Sequence, residues 1–230
     1  MDAVSKPSSS DSESSRDYFD ALYARSDDPW HLREGWYEHR KRQLTLAALP
    51  RERYRNAFEP GCANGELTAL LAVRCDALLA ADLHDTAVRV ARERLNVECE
   101  QRVDRVGLRQ QDRPDNRHVR IERLTMPAEW PNDDGPFDLI VISELAYYLA
   151  LADLEGLARC IAQNLSSDGT LLACHWKRPF DAAHHTAADI HHCFDAHCGL
   201  TRVVHHDEPD FLLDVWTRDG RSVAEREGRA

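Results

Sequence analysis

Through the middle of the chain, short apolar runs alternate with amphipathic ones, and each change of period marks a change of element. "YRNAFEPG" reads as a strand ending in a glycine turn, and "GELTALLAVRC" follows with Leu67, Leu70, Leu71 and Val73 at helical spacing. "DALLAADL" is a buried strand ending at Asp82. "DTAVRVARERL" is a helix that Asp85 is expected to cap, its carboxylate accepting first-turn amides. "HVRIERL" alternates with period two, and "FDLIVISEL" is continuously apolar, as a strand at the centre of a parallel sheet must be. "DLEGLARCIAQNL" predicts a helix, "DGTLLACHW" a strand and "TAADIHHCFDAHCG" a helix closed by Gly199. "LTRVVHHDE" and "DFLLDVWTR" lie a few residues apart, as an antiparallel hairpin requires.

Strand–helix alternation with a terminal hairpin predicts an α/β fold built on a mostly parallel, doubly wound sheet. Ligands of such sheets bind off the carboxyl ends of the strands. That rule selects residues 60–65, 82–84, 124–126, 143–148 and 174–177. Ahead of the sheet, "DPWHLREGWYEHRKRQLTLAAL" reads as a loop and a helix, so residues 16–50 form a helical cap on a single domain spanning 16–217. The serine-rich stretch 1–15 and the polar stretch 218–230 read as disordered or flexible tails. Residues 98–117 mix both charges and read as a solvated helix extension or flap.

Composition narrows the function classes. An apolar fraction of 43% supports a sizeable core, yet no apolar run has the length of a membrane span. The polar start lacks the charged-then-apolar pattern of a secretion signal. Cys62, Cys75, Cys99, Cys160, Cys174, Cys193 and Cys198 form an odd set without a CxxC pair, so a reducing cytoplasm is the expected setting. A formal charge of −11 disfavours a nucleic-acid partner, since the best basic patch is the short "HRKR" at 39–42. The expected partner is a small-molecule acceptor, with no membrane; the oligomeric state is open.

The chemistry starts at "FEPGCANGELT", 58–68. Gly61 and Gly65 open a helix whose first-turn amides lack internal partners, and small residues there let a ligand approach the backbone. Asp82, ending the next strand, is placed to accept both hydroxyls of a ribose. A dinucleotide fingerprint would need three glycines, but its positions hold Gly61, Ala63 and Glu66, and a glutamate beside a pyrophosphate is repulsive. Glu59 instead suits a cofactor with a cationic amino-acid part, such as S-adenosylmethionine. An ordinary strand–turn–helix with incidental acids is the bland alternative.

"EPGCANGELTALLA", "CDALLAADL", "DLIVISELAYYL", "LSSDGTLLACHW" and "DFLLDVWTR" resemble the class I S-adenosylmethionine-dependent methyltransferases, in the expected order. With the upstream "DPW…WYEHRKRQLTLAALPRERY", the chain is similar to the nodulation protein S type of N-methyltransferase from about Asp28 to Trp216. The resemblance implies a seven-stranded Rossmann-like sheet. It implies S-adenosyl-L-methionine as cofactor, S-adenosyl-L-homocysteine as product, and an amine acceptor on an amino sugar or deacetylated chitin oligosaccharide. Two departures stand out: Ala63 replaces the family's usual glycine, and Thr125 and Met126 stand where an acid is common after the third strand. The adenine edge then falls to backbone groups or to Thr125.

Glu59, Gly61, Cys62, Ala63, Gly65, Asp82 and Leu83 are therefore the expected cofactor-binding set, with Thr125, Met126, Ser143 and Tyr148 beside them. Trp30, Trp36 and Tyr37 are candidates to lid the sulfonium, whose charge aromatic faces attract, and Lys41 to meet the methionine carboxylate. Core packing, or a solvated surface for the lysine, is the alternative. Glu144 is expected to orient the acceptor amine or take its proton, with Tyr147 holding it by hydrogen bonding. His175 is the second candidate base; its alternative is a buried histidine bonded to backbone. The histidine-rich stretch 184–206 lacks the paired spacing of zinc ligands, and no metal is expected. Two other classes stay open: a nicotinamide-dependent oxidoreductase, and a non-catalytic binding module on the same fold.

Overall fold

A computed structural model describes residues 9–106 and 118–229, with side chains from 16 to 96 and from 118 to 229. Seven strands form one sheet in the order β3-β2-β1-β4-β5-β7-β6. They are β1 (Ala57–Pro60), β2 (Leu78–Asp82), β3 (Val119–Arg123), β4 (Phe137–Ser143), β5 (Leu165–Trp176), β6 (Thr201–Asp207) and β7 (Phe211–Thr217). The first five run parallel, and β7 pairs antiparallel with both β5 and β6, so the hairpin closes the sheet. Phe137 to Ile142 of β4 are all buried, which is why that strand carries no alternation.

The helices are α1 (Ser9–Tyr23), α2 (Trp36–Ala48), α3 (Glu66–Leu71), α4 (Asp85–Val106), α5 (Leu151–Asn164), α6 (Ala187–His197) and the short α7 (Val223–Arg226). Two core layers sandwich the sheet. One gathers Leu67, Leu71, Leu78, Val88, Val141 and Val215, the other Phe58, Ile140, Leu157, Phe194 and Trp216. Neighbouring strand residues such as Phe58 and Ala57 go to opposite layers because side chains alternate across a sheet.

Local readings shift in four places. Asp85 begins α4 with its side chain in solvent, and the cap comes from His84, whose Nδ1 accepts the Thr86 N–H at 3.2 Å. Val73 lies in a 3-10 turn after α3 and is 40% exposed, so the buried stripe ends at Leu71. Residues 9–15, expected in a disordered tail, are the first turns of α1, and Ser222 caps α7 inside the expected C-terminal tail. The charged stretch continues α4 to Val106; its remainder, 107–117, lies outside the described residues. Among the described residues no helix is long and apolar enough to cross a membrane.

Strand order reverses between β1 and β4, and ligands of open α/β sheets settle at that switch point. The loops leaving these strands touch there: a Cβ added at Gly61 would meet the Leu145 Cβ at 3.1 Å.

Candidate active site

A cavity of about 940 Å³ opens over the switch point. Its floor is Gly61, Ala63, Asp82 and Leu83, one flank is Leu124 to Ala128, and the other is Glu144, Leu145, Tyr147 and Tyr148. Its roof comes from the N-terminal segment, including Tyr18, Phe19, Tyr23 and Trp30. A chamber of that volume holds a nucleoside-sized ligand and a second small molecule.

The glycine loop is built around Asp82. Its Oδ2 accepts the Ala63 N–H and its Oδ1 the His84 N–H, each at 3.0 Å, while further lone pairs remain for hydroxyl donors. Gly61 and Gly65 both sit at φ 79, and Gly65 has a second requirement, since a Cβ there would lie 2.9 Å from the Ala91 backbone. Ala63 is at φ 46, in the left-handed region where glycine is favoured. That conformation costs an L-residue roughly 1–2 kcal/mol, whereas glycine costs about 0.4–1 kcal/mol in unfolded-chain entropy. The strain outweighs the entropy. Ala63→Gly is therefore expected to stabilise the protein by about 0.5–1 kcal/mol in urea unfolding, with ligand affinity unchanged. A destabilised variant would show that the alanine methyl group packs usefully.

The roof is tied to this loop by Asp28. Its Oδ1 accepts from the Asn64 side-chain amide and the Leu32 N–H, both at 2.9 Å, and its Oδ2 from the Arg33 N–H. Trp30 then meets Phe19 and Tyr23 edge-on, and Tyr23 stacks on His84 with ring centroids 4.4 Å apart. Tyr18, Phe19 and Tyr23 of α1 are site residues that sequence reasoning missed. The signal was present in "YFDALY", where Tyr18, Phe19, Leu22 and Tyr23 share a helix face at i, i+4 spacing.

Opposite the glycine loop, three charges cluster. Lys41 Nζ lies 2.8 Å from Glu144 Oε1 and 3.0 Å from Glu38 Oε1. Burial pulls the Lys41 ammonium down, but Glu144 and Glu38 more than offset it, so the net direction is upward and Lys41 stays charged. Glu144 Oε2 accepts the Trp176 N–H at 3.0 Å and the Tyr147 hydroxyl. Glu144 itself sits at φ 54, a conformation that a non-glycine residue holds only when its surroundings fix it. Burial, with Glu144's charge added, keeps the Tyr147 hydroxyl protonated.

The structure thus brings together Trp30, Tyr37, Lys41, Gly61, Ala63, Asp82, Leu83, Thr125, Met126, Glu144, Tyr147 and Tyr148 around one cavity. Other candidates stand elsewhere. Trp36 is 74% exposed beside His39, on the side of α2 away from the Tyr37, Glu38 and Lys41 face that lines the cavity. Lys41 is engaged by two carboxylates rather than standing ready for a third. Cys62, Gly65 and Ser143 do not line the cavity. His175 is fully buried, and its ring lies behind the turn that carries Tyr147 rather than in the wall. Glu59 lies beneath the floor, 3% exposed, and its Oε2 has no hydrogen-bond partner. Burial outweighs the opposing Thr68 hydroxyl and, with Asp82's charge adding to it, pushes the Glu59 carboxyl up to about 8.

The family model of nodulation protein S (NodS) matches residues 20–181. The chain belongs to the nodulation protein S family. The match takes in Tyr23 and Trp30 of the roof, the glycine loop, the Glu144 turn and the parallel strands β1 to β5, but not the closing hairpin. Nodulation protein S of Rhizobium tropici is 27% identical over 149 residues, which are 64% of this chain and 54% of that protein. The chain therefore spans about half the length of that curated relative. A protein from Pseudomonas syringae, provisionally described as a methyltransferase, is 47% identical in its crystal structure. That match covers 80% of this chain and all of the other, with a TM-score of 0.61. The N-methyltransferase NodS of Bradyrhizobium japonicum WM9, crystallised with S-adenosyl-L-homocysteine, has the same fold at 22% identity. There the TM-score is 0.70, with 88% of this chain and 97% of the other covered.

Proposed function

We propose that this protein transfers a methyl group from S-adenosyl-L-methionine to the nitrogen of a small-molecule amine. The observation that carries the reading is the pairing of two carboxylates across one aromatic-roofed cavity, Asp82 on the glycine-loop side and Glu144 on the other, with Glu59 Oε2 lacking a hydrogen bond beneath the floor. The residues fit the cofactor. Asp82 retains acceptor capacity for ribose hydroxyls, and Gly61 keeps the floor free of side chain beside Leu145. Glu59 Oε2 is a buried oxygen with an unmet bond, which a cationic α-amino group satisfies directly or through water. When bound, the cofactor supplies the electrophilic methyl group.

The chain's own residues do the rest. Methyl transfer is an in-line displacement, so positioning of the nitrogen carries much of the rate. Three donors fix the Glu144 carboxylate, which accepts an N–H of the amine and takes the proton that an ammonium must lose before its lone pair can attack. Trp30, Tyr37, Tyr148 and Trp176 exclude water and offer π faces to positive charge. The acceptor's finer identity, an amino sugar or a chitooligosaccharide-like amine, rests on the family resemblance. Cytoplasmic action on a free small molecule, without nucleic acid, accords with the acidic charge balance.

The deciding experiment incubates the protein with S-adenosylmethionine and a panel of amines, amino sugars and deacetylated chitin oligomers, and reads N-methylated product by mass spectrometry. Tight S-adenosylhomocysteine binding with turnover on an amine is expected; absence of binding would sink the proposal.

Glu59 adds a pH dependence. With its pKa at about 8 it is largely protonated at neutral pH in the unliganded protein, and an ammonium needs the ionised form. Affinity for S-adenosylhomocysteine is therefore expected to rise with pH from about 6 to 8, by up to about tenfold per unit. Methylthioadenosine, lacking the ammonium, should show a flat profile. Identical profiles for the two ligands would remove Glu59 from the cofactor site.

A further inference from the structure

The histidine-rich stretch is not absorbed by the reaction, and part of it lies in the interior. α6 turns Ala187, Ile190, His191 and Phe194 inward, at the spacing of one buried helix face. His191 is 2% exposed and faces β5 and β7, which contribute the fully buried His175 and Asp214. His191 Nδ1 lies 2.7 Å from Asp214 Oδ2, and its Nε2 lies 3.0 Å from His175 Nδ1. At the far end, His175 Nε2 accepts the Ala146 N–H at 3.4 Å. Asp214 is anchored from β6 by His205 Nδ1 at 2.7 Å and Arg202 Nη1 at 3.3 Å.

These contacts fix every proton. Ala146 N–H is a donor, so His175 Nε2 is bare and the neutral ring carries its proton on Nδ1. That proton is donated to His191 Nε2, so His191 carries its own on Nδ1 and donates it to Asp214. One polarity runs through the chain, from a buried carboxylate to a backbone amide.

The receiving end matters. Ala146 is fully buried and opens the turn carrying Tyr147 and Tyr148, two residues after the strained Glu144. Its N–H needs a partner, and His175 supplies it. We propose that the His175–His191–Asp214 chain is a positioning device that holds the turn 144–148, and through it Glu144 and Tyr147, against the acceptor site. His175 and His191 are then positioning residues, reached by no ligand.

The titratable and charged groups around His191 are His175 on β5, Asp214 on β7, and Arg202 and His205 on β6, with Lys41 and Tyr147 beyond His175. Burial, with His191 and Lys41 adding to it, holds His175 well below the ordinary histidine range, in keeping with a neutral ring.

The proposal rests on the methyl-transfer reading for its effect on rate, but it can be tested without turnover. His191→Leu breaks the chain; His191→Gln keeps an acceptor for His175 and a donor for Asp214. In His191→Leu, exchange of the Ala146 amide followed by NMR should lose its protection. kcat should fall roughly ten- to a hundredfold from misplacement of the turn, with S-adenosylhomocysteine affinity unchanged. His191→Gln, which preserves the direction of the chain, should keep the protection and most of kcat. Unchanged Ala146 exchange in His191→Leu overturns the proposal, as does a wild-type kcat in that variant. If His191→Leu does not fold, His191→Gln decides: loss of the Ala146 protection in a variant that keeps both hydrogen bonds of the chain overturns it.

Discussion

Asp82→Ala is expected to weaken S-adenosylhomocysteine binding by roughly a hundredfold or more, about 3 kcal/mol, because the carboxylate proposed to accept two ribose hydroxyls is lost. The structure adds a reason. The same carboxylate accepts the Ala63 and His84 amides, so its removal also frees the glycine loop that the ligand must meet. Asp82→Asn separates the two contributions, since its oxygen still accepts while its NH2 group opposes one of the backbone donors. An intermediate affinity is expected for asparagine. Calorimetry on wild type and both variants, with NAD as a second ligand, makes the test. Near-wild-type affinity in Asp82→Ala would refute the cofactor assignment, and NAD binding that depends on Asp82 would revive the oxidoreductase.

Glu144→Gln is expected to lower kcat for methyl transfer by roughly a hundredfold, within the range of general acid–base groups, while leaving S-adenosylhomocysteine affinity intact. The carboxylate has three donors, and an amide presents an NH2 group to at least one of them. Lys41 keeps Glu38 at 3.0 Å, so the buried ammonium is not orphaned and the fold should persist. Lys41→Met is a different perturbation. It leaves two carboxylates facing a gap with no cation between them, and breaking such a partly buried network costs up to about 3 kcal/mol. Single-turnover kinetics distinguishes the effects: Glu144→Gln should slow the chemical step at normal stability. A normal single-turnover rate in Glu144→Gln would reduce Glu144 to a turn residue.

Much of the site was legible in the chain because its signals are local. The glycine turn, the acid ending β2 and the apolar run ending at Ser143 each lie within one strand–loop unit, and the switch-point rule places such loops at one edge. Ala63 could be read as standing in a glycine position, and its φ of 46 agrees. What failed were judgements about direction. Trp36 and Tyr37 are adjacent in sequence, yet one is in solvent and the other in the cavity wall, because successive helix residues diverge by about a quarter turn. Lys41 sits in a basic run that reads equally as a carboxylate ligand or as solvated surface, and only the packing of α2 on the core shows it buried between Glu38 and Glu144, the latter 103 residues away.

His175 makes the division plain. The order of residues is enough to say that a histidine follows the fifth strand, that the sheet is α/β with a closing hairpin, and that an acid-bearing glycine loop faces a second acid after β4. These follow from period, turn chemistry and strand order, which are properties of short segments. That His175 turns inward to His191 and Asp214, rather than outward to the cavity, was settled by packing. The choice depends on which face of β5 is covered by α6, and on a buried aspartate from β7 that gives the inward ring its chain of partners. Segment patterns carry no information about such pairings, because a polar group is buried only where distant elements supply its hydrogen bonds.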